Sequence, residues 1–392
     1  MALIDVTYQP GTHKLPEQTS LSKASFTDTS GVHFPDGRLR NLPANQDVTF
    51  TSDYVTFGAG CRAIFSTKLG ANTPQSFFLF GTNSKLYCAL NNILYNITPL
   101  VTSATATLGT DPIDTTNTST TITITYTSHN LAIGDRIKLS GATDVGGITA
   151  ATYINIEHIV ATVPTANTFT VVVGTAATST ATGGGGSVDI YKEIASGNLD
   201  QDAASGWGVG LWGEGLWGSG GPAVAAQTYP RIWSFDQFGS DVVMCPGDYT
   251  TGDGQKIYIW DGDTSVAPTQ LTNSPTDCNY VMVVNNSVVA LCGDTVKISE
   301  LGDATVWSGI TYYSAQIQNV WKLISGAPSG DKGAVLFTPN SAFLLRYVGG
   351  ANLWDIVNIG TDDGIVAPNA WATDNTTLFF QGNRGFYSFN GS

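Results

Sequence analysis

A short apolar run that ends in a turn returns four times in the C-terminal part of the chain: IYIWDGD at 257–263, VKISELGD at 296–303, FLLRYVGG at 343–350 and FYSFNGS at 386–392. The runs begin 39, 47 and 43 residues apart. KLYCALNN at 85–92 is an unspaced fifth instance far upstream. A degenerate period in the forties, built from short strands and turns, predicts β-propeller blades, because each unit is too small to bury its own faces and must stack on its neighbours. VVMCPG and VMVVNNSVVALCG supply further strands ahead of the repeated one. No fixed signature marks each repeat, so a generic β-sandwich is the alternative.

Composition narrows the choice. Only 12% of the 392 residues are charged and 44 are Gly, which disfavours charge-rich helical bundles and acidic disordered tails. The length exceeds a single ordinary domain and excludes a small disulfide scaffold. No run of eighteen apolar residues occurs, and MALIDVTYQPGTHKLPEQ lacks a basic region followed by an apolar one, so neither a membrane span nor a secretion signal is expected. Cys61, Cys88, Cys245, Cys278 and Cys292 are odd in number and without CxxC spacing; they read as reduced core thiols of a protein assembled in a cytoplasm. His13, His33, His129 and His158 are too scattered for a metal site.

Texture divides the chain. Residues 1–52, interrupted by Pro10, Pro16, Pro35 and Pro43, predict an extended N-terminal arm. Residues 53–100, with YVTF, CRAIFST, SFFLFGTN, KLYCALNN and ILYNITPL, predict an antiparallel meander that opens the propeller. Residues 101–192 are an inserted Thr-rich β domain, a small sandwich or barrel; 23 of the 82 residues in 101–182 are Thr, a type that favours strands. TITITYTSHN at 121–130 alternates as a half-exposed strand does. Gly183 to Gly186 with Ser187 reads as a flexible tether. Residues 193–228 form a Gly/Trp-rich connecting loop, and 229–392 hold the remainder of the propeller. The expected fold class is therefore all-β.

Little catalytic chemistry is legible. Asp261 and Asp263, Asp248 and Asp253, and Asp362 and Asp363 are pairs in turns, but none follows the D-x-[DN]-x-[DN]-G calcium loop, so they read as solvated turns. The Gly183–Gly186 run lacks the Lys and Ser/Thr of a phosphate loop, and no G-x-S-x-G elbow occurs. No catalytic, cofactor-binding or metal-ligating residue is assigned, and the chain is not expected to be an enzyme. His129, in SHNLAIGD, reads as a turn cap. The most unusual segment is GWGVGLWGEGLWG at 206–218, where Trp207, Trp212 and Trp217 each precede Gly. Glycine at this density weakens any regular element. The three Trp are the candidate interface, packing on a neighbouring domain or subunit; as exposed rings they would instead stack on sugars or bases.

These blocks resemble a known family. CRAIFST at 61–67, FLFGTNSKLY and LYNITPL are similar to the opening of the tail nozzle, or tail stabilisation, proteins of short-tailed bacteriophages. SHNLAIGDRIKLSGA, GGI at 146–148 and VPTANTFTV resemble a β module of phage structural proteins. The likeness resumes in GWGVGLWGEGLWG, RIWSFDQFGSDVVMCPG at 231–247 and FLLRYVGGANLWDIVNIGTDDGIVAPNAW at 343–371, and the Trp-Gly stretch with the RIWSFD block is its most specific part. The family pattern usually continues past FYSFNGS, which implies a truncated chain, a split gene, or closure of the propeller by strands from the N-terminal segment.

The resemblance implies a virion structural protein assembled in the host cytoplasm. It implies a ring, expected to be hexameric, that sits below the portal and adaptor, extends and closes the DNA channel for ejection, and anchors fibres or spikes. DNA would pass through the lumen without sequence-specific binding. The formal charge of −14 agrees with passage by repulsion and predicts neutral or acidic lumen-facing loops. The alternative from a different class is a propeller that binds or cleaves host-surface glycans; cleavage needs two suitably spaced carboxylates, and 31 acidic residues allow many pairs to be postulated. A third reading is a generic scaffold that binds proteins through its rim loops.

Overall fold

The structure, a computed structural model, describes residues 60–70, 74–101, 106–199, 230–247, 252–309, 312–318, 322–329, 333–349, 353–359, 363–373 and 377–390, and the backbone of 32–33 and 40–41. Residues 1–53 form a unit of their own, in which Val32–His33 pairs antiparallel with Arg40–Asn41. The described residues beyond it are almost entirely β.

Five antiparallel meanders follow one another as blades of a propeller. Blade 1 comprises Ala63–Leu69, Gln75–Gly81, Leu86–Leu90 and Ile93–Asn96, and blade 2 comprises Ser234–Phe238, Asp241–Cys245, Tyr258–Trp260 and Thr269–Gln270. Blade 3 has Tyr280–Val284, Ser287–Cys292, Thr295–Ile298 and Tyr313–Gln316; blade 4 has Ser325–Pro328, Gly333–Phe337, Ala342–Tyr347 and Trp354–Asn358. Blade 5 has three described strands, Trp371–Thr373, Leu378–Gln381 and Phe386–Phe389. All five instances of the sequence repeat form the third strand of their blade. Tight turns set the register: Asn91 and Asn92, and Asn285 and Asn286, have φ between 48° and 64°, the left-handed pair that a two-residue hairpin turn demands.

The second strands explain why no clean polar alternation appears in VVMCPG or NNSVVALCG. In blades 2, 3 and 4 the second strand lies between two neighbouring blades, so both faces are buried, and successive residues serve different seams. Val242 and Met244 pack towards blade 1, while Val243 and Cys245 pack towards blade 3. Val288, Ala290 and Cys292 face blade 2, whereas Val289 and Leu291 face blade 4. Ala334 and Leu336 face blade 3, and Val335 and Phe337 face blade 5. Full burial of one such aliphatic side chain contributes roughly 1.5–3 kcal/mol, so a chain of shared seams holds the blades together. Among the described residues no buried cluster joins blade 5 to blade 1. Ile64 and Phe78 on blade 1, and Phe379 and Phe386 on blade 5, are exposed.

Between blades 1 and 2 the chain builds a second module. An eight-stranded antiparallel sheet, from Ala106–Thr107 to Asp189–Lys192, wraps a separate core that includes Ile113, Ile122, Ile124, Ile137, Phe169 and Ile190. The alternating TITIT run buries Ile122 and Ile124 in it. The long strand Glu157–Thr165 pairs with Arg136–Ser140 over its first residues and with Thr168–Val172 over its later ones, and register shifts along the second pairing turn the sheet. The Gly183–Gly186 run is a correction to the reading as a tether. Gly183 is paired to Ile113, Gly184 and Gly185 take φ of 107° and 85°, and the Gly185 N–H donates to Asp111 Oδ1 at 2.9 Å. It is a fixed turn inside the module, chosen for its left-handed backbone.

Candidate functional site

The RIWSFD block reads as one run in the sequence, and its side chains divide between structural tasks. Ser234–Phe238 is the first strand of blade 2, beside the first strand of blade 1 and that of blade 3. Trp233 is buried and donates its indole N–H to the Thr82 carbonyl at 2.8 Å, and Gly81 leaves it room: a Cβ there would lie 2.4 Å from Trp233 Cδ1. Trp233 stacks on Phe235 at 6.0 Å, and Phe235 stacks on Phe65 of blade 1 at 5.9 Å. Arg231 is fully buried, with Gly197 so close that a Cβ would lie 2.4 Å from its Nε.

The same strand secures the next seam. Ser234 Oγ accepts from the Val281 N–H at 2.9 Å, and Asp236 Oδ2 accepts from the Val283 N–H at 2.7 Å. Side chains thus satisfy backbone donors along the inner strand of blade 3, where no sheet partner exists. Tyr280 then donates to the Gly326 carbonyl of blade 4 at 3.0 Å. Around the axis these strands enclose a cavity of about 470 Å³, lined by Phe65, Phe235, Asp236, Tyr280, Met282 and Trp371 among others. Asp236 is the one carboxylate among the described residues that line it. Burial pushes that carboxyl above its usual range, against the pull of the Val283 and Gln237 N–H donors. The Trp371 indole N–H is buried nearby without a well-aligned hydrogen-bond partner. The described residues lining the cavity supply one carboxylate, where glycoside cleavage uses two.

A second constellation sits where the inserted module meets blade 1. Lys85, only 6% exposed, donates to Glu157 Oε2 at 2.7 Å and to Glu193 Oε1 at 2.6 Å. Asn96 Nδ2 bridges the same carboxylates at 2.5 and 3.1 Å, and Asn96 Oδ1 accepts from the Thr98 hydroxyl. Lys85 and Asn96 come from blade 1, Glu157 from the module, and Glu193 from the segment just after the module's last strand, Asp189–Lys192, where it bridges Leu100. The environments separate the two acids. Burial opposes ionisation of Glu157, but Lys85, Asn96 and Arg136 outweigh it and hold the carboxyl below its usual range. Burial pushes Glu193 up, helped by the charge of Glu157 and opposed by Lys85 and Asn96. Lys192 adds an ion pair to Asp135 at 2.6 Å. A cleft of about 520 Å³ opens over this floor, walled by Tyr95, Tyr191, Lys138 and the blade 2 turn at Thr264 and Ser265.

Trp207, Trp212 and Trp217 lie outside the described residues. Of the cysteines, Cys88, Cys245, Cys278 and Cys292 are buried free thiols; Cys61 is exposed, a correction, because it precedes the blade 1 strand instead of packing inside it. Asp363 is a second correction. It is 4% exposed, not solvated, and accepts from the Asn383 and Arg384 N–H groups and the Tyr387 hydroxyl, bracing blade 5. Asp253 pairs with Lys256, while Asp261 and Asp263 accept from backbone N–H groups in an exposed turn. His129 accepts from the Leu131 N–H on Nδ1, as a turn cap does, which leaves Nε2 to donate to the Thr165 carbonyl. The Lys85 cluster was missed in the sequence because its four side chains span 85 to 193. The available signal was one Lys opening an otherwise apolar strand run.

The sequence matches no family model and no curated protein. Solved structures similar in fold include a phage phi92 endosialidase, at 14% identity over 88% of this chain with a TM-score of 0.27. They also include YCF48 bound to a D1 peptide, at 11% identity over 87% of this chain and 96% of that one with a TM-score of 0.30. BamB from Moraxella catarrhalis is a third, at 12% identity over 50% of this chain with a TM-score of 0.28. This chain spans 55% of the endosialidase chain and 58% of the BamB chain. At these scores the likeness carries no functional information.

Proposed function

We propose that the protein is a structural subunit of a short phage tail, a nozzle that forms a ring below the portal and adaptor, lengthens the DNA channel and anchors other tail parts. The observation that carries this reading is where the family-like blocks converge. CRAIFST, FGTNSKLY and RIWSFD meet at one seam, and there Phe65, Gly81, Thr82, Trp233 and Phe235 serve packing and hydrogen bonding to the backbone, while Asp236 of the same block accepts from the Val283 N–H at the next seam. A sequence pattern spent on rigidity suits a part that must transmit load without changing shape. The Lys85 cluster adds to it, since the module is fastened to blade 1 by buried ions. The net charge of −14 favours passage of DNA over adhesion.

The deciding experiment is quantitative mass spectrometry of purified phage particles, scoring this chain against the portal subunit. About six copies for a portal ring of about twelve is the expected result for a hexameric ring. Absence from particles would overturn the reading. A second reading, recognition of host-surface glycans, is favoured by one observation: two carboxylates that share Lys85, Glu157 and Glu193, lie at the floor of a cleft walled by tyrosines.

A further inference from the structure

We infer that the cleft between the inserted module and blades 1 and 2 is a binding site for a neutral oligosaccharide. The inference deepens the second reading above and is independent of whether the chain forms a tail ring.

Three elements build the cleft. The last strand of blade 1 contributes Tyr95, the module contributes Lys138 and Tyr191, and the blade 2 turn contributes Thr264. Its volume of about 520 Å³ falls in the range of ligand pockets, and a junction between domains is a common place for them. Saccharides offer two recognisable surfaces: a patch of C–H groups that lies on an aromatic face, and a rim of hydroxyls that both donate and accept. The walls meet the first need. Tyr95 and Tyr191 are half-buried, with Tyr95 packed against the blade 1–2 core. A Tyr fixed in this way presents a ring at little entropic cost.

The polar groups meet the second need. Among the described residues, the hydroxyls of Tyr95, Tyr191, Ser140 and Thr264 and the Lys138 ammonium take part in no side-chain hydrogen bond or ion pair, whereas beneath them Lys85 and Asn96 are bonded to Glu157 and Glu193, and Thr98 to Asn96. The floor is therefore fixed in place and the wall groups are available. Carboxylate oxygens on Glu157 and Glu193 each retain a lone pair for a sugar hydroxyl after accepting from Lys85 and Asn96. Charge selects the class of ligand. Lys138 on the wall and the buried Lys85 beneath Glu157 and Glu193 balance the two carboxylates, so neither an anionic sugar nor a cationic peptide gains from net attraction, and a neutral polyhydroxylated ligand suits the site.

The test uses the full chain and saturation-transfer difference NMR with neutral tri- and tetrasaccharides of glucose, galactose, mannose and N-acetylglucosamine, alongside a sialylated trisaccharide and an acidic and a basic peptide. We expect transfer from at least one neutral sugar, centred on its ring C–H protons. Tyr191→Ala should weaken that binding at least tenfold and Tyr191→Phe less than threefold, because stacking survives in the latter. Lys138→Ala supplies a second variant on an exposed strand position, expected to cost three- to tenfold; circular dichroism confirms that each variant is folded. No transfer from any neutral sugar overturns the proposal. So does binding that Tyr191→Ala and Lys138→Ala leave unchanged, or binding confined to the sialylated sugar or to a peptide. Particle mass spectrometry reports on the nozzle reading separately, so each can fail without the other.

Discussion

Replacing Lys85 with Met tests whether the buried ion cluster fastens the inserted module to blade 1. The side chain of Lys85 is 8% exposed and that of Glu193 5%, while that of Glu157 is 32% exposed. Removing one member of a buried pair costs about 3–5 kcal/mol, mainly because the remaining charge stays desolvated. Glu157 is close to a third exposed, so solvent screens its share, and the expected loss is the lower figure, about 3 kcal/mol at pH 7.

The loss should depend on pH in a definite direction. Burial raises the Glu193 carboxyl in the intact protein, so its stabilising contribution is present below the unfolded value and is lost as pH rises through the folded one. Without Lys85 that folded value rises further. Glu157 is held down, chiefly by Lys85, so in the intact protein its contribution is present above the unfolded value and is lost as pH falls. The gap between Lys85→Met and the unaltered protein should therefore widen from about pH 4 to about pH 7. Urea unfolding followed by circular dichroism measures it at each pH. Adding Glu193→Leu to Lys85→Met should recover a large part of the loss, since only the part-exposed Glu157, still bonded to Asn96, is then left without Lys85. A loss under about 1 kcal/mol at neutral pH, or one equal at both pH values, would refute the reasoning.

Gly81→Ala places a methyl 2.4 Å from Trp233 Cδ1, against a ring held by its hydrogen bond to Thr82. The expected cost is about 1–3 kcal/mol with a shifted tryptophan emission maximum, and an unaltered denaturation midpoint would count against the tight blade 1–2 seam. Titration with a thiol reagent should find one reactive cysteine of the five, Cys61, in the native protein and all five after unfolding. Burial raises the Cys61 thiol and pushes Cys88 up to about 12, so the native reaction should be slow at neutral pH and quicken as pH rises, with Cys88 silent throughout.

The propeller was legible because its strands are local meanders: the hairpin turns at Asn91-Asn92 and Asn285-Asn286 and the repeated third strands are written in adjacent residues. The Thr-rich module was legible for the same reason, through the alternation that buries Ile122 and Ile124. Gly183–Gly186 misled because composition cannot tell a mobile linker from a turn that needs positive φ; the difference lies in Ile113 and Asp111, seventy residues away. Asp363 misled likewise, since an Asp-Gly turn reads as solvated until Asn383, Arg384 and Tyr387 close over it.

By itself the sequence determined the strands, their turns and the all-β class, because those depend on neighbours a few positions apart. Only the tertiary structure decided which face of each second strand meets which blade. It also decided that Lys85, Asn96, Glu157 and Glu193 share one buried floor. Their energies come from desolvation and pairing between residues up to 108 positions apart, and no local pattern encodes that distance.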